Sequence, residues 1–147
     1  MNFQNDKTTW SIDEQMMWGN GLLISPVLAP GQTTVSAYFP AGSRWYDYYD
    51  GGEIVPGYRT LSAPLNSINL HLRGGEIIPI QSPAMTTMDS RTNGLGLIVS
   101  LDDKQEARGN LYWDEGNSID PIKNGKFTFL NFKYSNFYLT SGMTHCL

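Results

Sequence analysis

Carboxylate side chains are concentrated in one short segment of the chain, NLYWDEGNSID, which spans residues 110–120. Asp114, Glu115 and Asp120 fall within seven residues, beside a tryptophan and a glycine. Paired carboxylates can act as the acid and the nucleophile of a glycosidase, and clustered ones can bind a cation. Both functions need the oxygens to converge on one point, so the local backbone decides between them.

The spacing of these carboxylates favours a third interpretation, a polar turn. Asp114 and Glu115 are adjacent, so in a strand they point to opposite faces, whereas a glycosidase places its two carboxylates about 5–10 Å apart across a cleft. A calcium loop needs alternating acidic residues that end in a glutamate, and Asp114, Gly116 and Ser118 match that pattern only in part. In a turn, Gly116 would take a positive φ, and Asp114 or Asn117 would bond the turn backbone.

Three other features are candidates for recognition or chemistry. His71 alternates with leucines in INLHL, which favours a polar-face or interface histidine over a catalytic one. Arg73 precedes two glycines, so its side chain could reach a carboxylate or carbonyl of a partner lobe. The aromatic run WYDYY contains Trp45, Tyr46, Tyr48 and Tyr49, which could stack on sugar rings or form core and interface contacts.

The sequence predicts no metal and no cofactor. It has one cysteine, Cys146, and its two histidines, His71 and His145, are far apart, so a zinc site is not expected. The lysine and helix of a phosphate loop do not follow Gly74, and no serine lies in a G-x-S-x-G context.

Composition excludes several classes of protein. The 147 residues are 40% hydrophobic, enough to bury a core, and the net charge of −4 without a basic cluster argues against nucleic-acid binding. No apolar run approaches the roughly 20 residues of a membrane helix, and the polar segment MNFQNDKTTW lacks the apolar core expected of a signal peptide. Only 16% of the residues are charged, which suggests that part of the surface is normally covered.

Short apolar runs between glycine- and proline-rich turns predict an all-β fold with antiparallel, half-buried sheets. The predicted strands are residues 22–28, 33–39, 44–49, 68–72, 76–80, 95–101, 107–113 and 126–132. Residues 10–18, WSIDEQMMW, are predicted as one short helix, because a serine and two acidic residues stand near their start. Residues 83–93 are predicted as a long loop or a linker between two β lobes.

Four segments together resemble the C-terminal region of glycoside hydrolase family 31, of the animal α-glucosidase type. They are DEQMMWGNGLLISPVLAPG, VSAYFPAGSRWYDYYDGG, LSAPLNSINLHLRGGEIIPIQSPAMTTMDSR and LGLIVSLDDKQEARGNLYWDEGNSID. The resemblance covers about residues 8–135 and keeps the order and the gaps of the motifs. It implies a β-sandwich-like proximal C-terminal domain plus a partial second β lobe.

The resemblance divides the chain into three expected parts. Residues 1–20 correspond to the end of the catalytic barrel, 21–82 to the proximal C-terminal β domain, and 83–147 to a linker and part of the distal domain. The tail 140–147 does not resemble the distal domain, so that lobe is expected to be truncated. The parent enzymes are secretory, lysosomal or at the cell surface, but the location of this chain is left unknown.

The family's catalytic motifs are absent from this sequence. Its nucleophile lies in W-x-D-M-N-E, whereas Asp47 is followed by two tyrosines, and no G-D-N sequence is present for the acid/base aspartate. The resemblance therefore implies that segment 110–120 belongs to a β domain and that its carboxylates are turn residues. We expect no hydrolysis by this chain alone; the parent reaction is retaining hydrolysis of terminal α-linked glucose from malto-oligosaccharides.

The expected role is a scaffold that packs against the (β/α)₈ catalytic barrel of a family 31 enzyme. The residues predicted to make interface or core contacts are Trp18, Trp45, Tyr46, His71 and Arg73. The alternative is a free carbohydrate-binding module, with α-glucans on exposed rings of Trp45, Tyr48 and Tyr49. A weaker third possibility is a regulatory module that docks on a full-length α-glucosidase.

Overall fold

The computed structural model describes residues 3–145 and is almost entirely β, as the sequence predicts. In chain order the strands are β1 Met16–Trp18, β2 Leu22–Ser25, β3 Thr34–Phe39, β4 Trp45–Asp47, β5 Glu53–Ile54, β6 Gly57–Ser62, β7 Asn69–Arg73, β8 Glu76–Gln81, β9 Leu95–Ser100, β10 Ala107–Asp114, β11 Phe127–Ser135 and β12 Tyr138–His145. All eight predicted strands are present.

The predicted helix over residues 10–18 is wrong in position and extent. A 3-10 helix covers Lys7–Ser11 instead, and Asp6 caps it by accepting a hydrogen bond from the Thr8 amide at 3.1 Å. The following residues form β1, which pairs antiparallel with β2 across the turn at Gly19. Met16 and Trp18 are exposed while Met17 is half-buried, so the segment has the period of a strand rather than that of a helix.

The chain divides into two compact units. The first comprises the residues up to Glu76 together with Ser100–Lys104, and the second comprises Ile77–Val99 and the residues from Gln105 onward. The three-part division predicted from the sequence remains a prediction.

Two sheets form the first unit. A five-stranded sheet has the order β1-β2-β7-β4-β5, and β3 and β6 form a separate antiparallel pair. Leu23 and Trp45 from the larger sheet meet Ala37 and Phe39 from the smaller one in a buried cluster. Strand β2, whose run is almost wholly apolar, lies between β1 and β7 and ends one residue before Pro26.

The side-chain amide of Gln15 links the two sheets of the first unit. Its nitrogen donates to the Ser25 hydroxyl in β2 at 2.8 Å, and its oxygen accepts from the Tyr38 amide in β3 at 2.7 Å. Ser25 is buried, so these bonds satisfy polar groups that would otherwise be left without a partner.

One five-stranded sheet forms most of the second unit, with the order β12-β11-β10-β8-β9. Strands β10 and β11 pair antiparallel over eight residues, from Ala107 opposite Tyr134 to Asp114 opposite Phe127. The segment between β8 and β9, predicted as a loop or linker, contains the one-turn helix α1, Thr87–Ser90. In the described part of the chain no helix is long and apolar enough to cross a membrane.

Candidate functional site

The carboxylate segment forms a turn at the end of β10, which confirms the turn interpretation. Asp114 Oδ1 accepts a hydrogen bond from the Gly116 amide at 2.7 Å, and Gly116 has a φ of +81°. Asp114 Oδ2 accepts a second bond from the Tyr112 hydroxyl at 3.0 Å. Both oxygens of this carboxylate are thus held by neighbours within two residues. Among the described residues, no three His, Cys, Asp or Glu side chains are grouped so that they could hold a metal ion.

Arg91 fixes the same turn from the loop between β8 and β9. Its guanidinium lies over the Trp113 ring, 4.3 Å from the ring centroid, and its Nη2 donates to the Asp114 carbonyl. The guanidinium is also 3.9 Å from Asp114 Oδ1. These contacts give the segment a structural role.

The aromatic run that begins at Trp45 is split between the interior and the surface. Trp45 has no exposed area; its Nε1 donates to the Pro40 carbonyl at 3.0 Å, and its ring meets Phe39 edge-on. Tyr46 is half-buried and donates to the Leu101 carbonyl at 2.6 Å, and burial raises the pKa of its phenol. Trp45 is therefore a core residue, unavailable for the flat sugar-binding surface that the carbohydrate-module alternative requires.

Tyr48 and Tyr49 remain near the surface. Their rings meet edge-to-face with centroids 5.3 Å apart, and Tyr49 is 62% exposed. The Tyr49 hydroxyl donates at 2.9 Å to the carbonyl of Ile68, the residue that precedes β7. This bond fixes the position of the ring. Without Trp45, this pair is the remainder of the predicted aromatic surface.

His71 is buried, whereas the alternation in INLHL left both a polar-face and an interface position open for it. It is 1% exposed, with its ring edge-on to Phe39 at 4.7 Å, and its Nδ1 has no hydrogen-bond partner within the described residues. Desolvation lowers the pKa of the imidazole, and the nearby charge of Asp47 opposes that shift in part. A buried neutral histidine of this kind contributes to packing.

Arg73 also makes contacts within its own unit. Its Nε donates to the Ser43 hydroxyl at 3.0 Å, and its guanidinium lies 4.8 Å from the centroid of the Phe3 ring. Of the five residues predicted to make interface or core contacts, Trp45 and His71 are buried, Tyr46 and Arg73 are half-buried, and Trp18 is exposed.

Trp18 belongs to an apolar surface that we call the outer face, on the side of the larger first-unit sheet away from Trp45. Cross-strand partners share a face, so the register defines it. The register pairs Met16 with Ile24, Trp18 with Leu22, Ile24 with Leu70, Leu22 with Leu72, and Leu72 with Tyr46.

Exposure of the outer face varies along the sheet. Met16 and Trp18, on the edge strand, are 56% and 75% exposed, whereas Leu72 is buried. Of the members of this face, Trp18 and Tyr46 were predicted as contact residues, whereas Met16, Leu22 and Ile24 were missed. The sequence signal for this face was the uninterrupted apolar run from Leu22 to Ile24, which is typical of a strand covered on both sides.

Comparison with known proteins places the chain in a family. Residues 1–78 match the family described as glycosyl hydrolase family 31 C-terminal domain. The chain is 52% identical over 132 residues to human probable maltase-glucoamylase 2, a match that covers 88% of this chain and 5% of that protein. It is 37% identical over 169 residues to rat lysosomal α-glucosidase, covering 99% of this chain and 17% of the relative.

Solved structures agree with the sequence relatives. The α subunit of glucosidase II superposes with a TM-score of 0.84 at 31% identity, over 90% of this chain and 15% of that chain. The chain thus spans only a small fraction of the proteins that it resembles. The family match, the identity to these relatives and the shared all-β fold lead to one conclusion: the chain belongs to the C-terminal domain family of glycosyl hydrolase family 31, as found in α-glucosidase-type enzymes.

Proposed function

We propose that this chain supplies the non-catalytic C-terminal β domain of a family 31 α-glucosidase and packs against a (β/α)₈ catalytic barrel. The reaction of the assembled enzyme is retaining hydrolysis of terminal α-linked glucose from malto-oligosaccharides. Residues 1–20 correspond to the end of the barrel, 21–82 to the proximal β domain, and 83–147 to the linker and part of the distal domain.

The observation that carries the proposal is the apolar outer face of the first unit. The larger sheet already buries its opposite side, with Leu23 and Trp45, against the smaller sheet. A sheet with aliphatic and aromatic side chains on both sides needs a second covering layer, and exposed apolar patches mark protein interaction sites. Met16 and Trp18 lie at the edge of this face and are its most exposed members.

The carbohydrate-module alternative on the WYDYY run receives less support. It requires Trp45 and a neighbouring tyrosine to form one exposed flat surface, and Trp45 is fully buried. The indole N–H is also unavailable to a sugar hydroxyl, because it donates to the Pro40 carbonyl.

A segment exchange tests the scaffold function. Residues 3–145 replace the matching segment of a full-length family 31 α-glucosidase, and we expect the chimera to hydrolyse maltose. Introducing Met16→Lys and Trp18→Lys should then lower the melting temperature by several degrees, because each buried apolar side chain contributes about 1.5–3 kcal/mol. Leu65→Lys is the matched control, since Leu65 is fully exposed and lies outside the outer face.

Two results would contradict the scaffold proposal. One is an equal decrease of the melting temperature in the chimera that carries the double substitution and in the chimera that carries Leu65→Lys. The other is hydrolysis of maltose by the purified chain alone, above a matched blank, because the proposal assigns no catalytic group to these residues.

A further inference from the structure

Asparagine is followed by glycine at three places in the chain. These Asn-Gly pairs are Asn20-Gly21, Asn93-Gly94 and Asn124-Gly125. In such a pair the backbone nitrogen of the glycine can attack the side-chain carbon Cγ of the asparagine, because glycine has no Cβ to obstruct the approach. The reaction requires both groups to move freely, so the hydrogen bonds of the folded chain decide which pair reacts.

We propose that the Asn20-Gly21 pair is a site of spontaneous deamidation, with water as the reagent. The Gly21 nitrogen forms a new bond to Asn20 Cγ and closes a succinimide ring. The bond from Cγ to the side-chain nitrogen breaks, and this nitrogen leaves as ammonia with the proton that Gly21 gives up. Water then opens the ring at either of its carbonyls, which yields aspartate or isoaspartate at position 20.

The structure leaves the reacting groups of this pair free of competing hydrogen bonds. Asn20 is exposed in the turn between β1 and β2. Within residues 3–145, neither its side-chain amide nor the Gly21 amide has a hydrogen-bond partner. Gly21 is buried, and its carbonyl accepts from the Arg73 amide at 2.8 Å. Burial disfavours the charged, deprotonated amide, so this pair should react more slowly than the same sequence in an unfolded chain.

The side chain of Asn93 is held in place on both sides of the residue. Its Nδ2 donates to the Ser82 carbonyl at 2.8 Å, and its backbone carbonyl accepts from Gln81 Nε2 at 2.7 Å. Attack by the following glycine would require the side chain to rotate away from Ser82. The bond to Ser82 must therefore break before the ring can close.

Both reacting groups of the third pair are engaged. Asn124 Nδ2 donates to the Ile119 carbonyl at 3.2 Å, and the Gly125 amide donates to the Ile122 carbonyl at 3.2 Å. The second bond occupies the N–H that the reaction must deprotonate. Although Asn124 and Gly125 are exposed, this pair is protected by its hydrogen bonds.

Deamidation would alter the edge of the outer face. Both products add a negative charge two residues from Trp18, which is 75% exposed. Isoaspartate also inserts a carbon into the backbone of the turn that sets the register of Trp18 opposite Leu22. Aged copies of the chain should therefore pack less well through this face. That consequence rests on the proposed scaffold function, whereas the formation of the product does not.

Incubation of the full 147-residue chain in mildly alkaline buffer, followed by digestion and mass spectrometry of the peptides, tests the proposal. We expect aspartate and isoaspartate to accumulate at position 20 about threefold to tenfold faster than at positions 93 and 124. This factor is the slowing caused by one hydrogen bond that must break first. In the control variant Asn20→Gln, ring closure is less favourable, so that peptide should keep its mass while the rates at the other two positions stay unchanged.

The same incubation in concentrated urea separates the effect of the fold from that of the sequence. Without tertiary structure the three pairs should react at similar rates. Three results would overturn the proposal: Asn93 or Asn124 reacting as fast as Asn20 in the folded chain, no reaction at Asn20 in the folded chain, or the same ratio of rates with and without urea. All readouts are peptide masses, so the test of the scaffold function can fail without affecting this one.

Discussion

Gly109 in β10 shows how closely two backbones approach in the second unit. A Cβ atom at this position would lie 2.1 Å from the Ile77 carbonyl oxygen and 2.8 Å from the Ile77 Cβ. Ile77 is buried, so the neighbouring strand cannot move aside without disturbing packed residues. The residue is needed here for its lack of a side chain and not for a left-handed φ.

Gly109→Ala should therefore destabilise the chain by about 1–3 kcal/mol, the cost of overpacking a well-packed site. Chemical denaturation of the purified chain measures the change. Gly142→Ala is the matched control, because Gly142 also lies in a strand of the same sheet but has open space where its Cβ would be. Equal stability of the two variants would show that β8 and β10 can separate freely.

His71 makes the stability of the first unit depend on pH. Its folded-state pKa lies below the ordinary value, so the unfolded chain binds a proton more readily than the folded chain. The stabilising contribution is present above the unfolded pKa of about 6.5 and is lost as the pH falls towards the folded pKa. Asp47, the cross-strand partner of His71 in β4, reduces the effect without abolishing it.

We expect the free energy of unfolding to decrease from about pH 7 to about pH 5.5, above the range in which most carboxylates titrate. His71→Gln, which stays neutral throughout, should flatten this slope even if it lowers the stability itself. Urea denaturation at several pH values measures both. An equally steep slope in the variant would mean that another group causes the pH dependence.

At the scale of elements, Arg91 ties the loop that contains α1 to the end of β10. The guanidinium stacks on Trp113, donates to the Asp114 carbonyl and lies near the Asp114 carboxylate. Within the loop, the Thr86 hydroxyl accepts from the Asp89 amide at 3.1 Å and caps the helix. The helix has only four residues, so these side-chain contacts rather than helix propensity keep it ordered.

Arg91→Ala should loosen this loop without unfolding the sheet. A cation–π contact contributes about 0.5–2 kcal/mol, so amide hydrogen exchange in residues 87–93 should accelerate by about tenfold. Lys123→Ala serves as the control, because Lys123 is an exposed cation in the β10–β11 connection. If the exchange rates in the Arg91 variant are unchanged, backbone hydrogen bonds alone keep the loop ordered.

At the scale of the whole molecule, the low charge content and the exposed outer face both favour self-association of the chain. With 16% charged residues, little repulsion prevents two copies from meeting at an apolar surface. Met16 and Trp18 also lie on β1, the edge strand of its sheet, where unpaired backbone groups invite association.

The isolated chain should therefore self-associate reversibly, and a Met16→Lys, Trp18→Lys double variant should shift the equilibrium towards the monomer by tenfold or more. Each substitution both removes apolar area and adds a charge to an interacting surface. Sedimentation velocity at several concentrations provides the measurement. If Leu65→Lys has the same effect, a general gain in charge, and not the outer face, controls the association.

Much of the fold could be predicted because strand patterns are local. The eight predicted strands lie at runs such as LLIS and NLHL, and the turn at Gly116 followed from its neighbours alone. The short β1 and β5 and the polar β6 lack a strong alternation and were missed. So was β12, an edge strand whose sequence, YLTSGMTH, contains only a few apolar residues.

By itself, the sequence determined the all-β class, most strand positions and, through its motifs, the family, because each depends on residues close together in the chain. The tertiary structure alone decided which side chains became core and which became surface. Trp45 and His71 are buried because β3, which belongs to a separate sheet, places Phe39 against both of them. The outer face likewise exists only through the register between strands, which no single segment encodes.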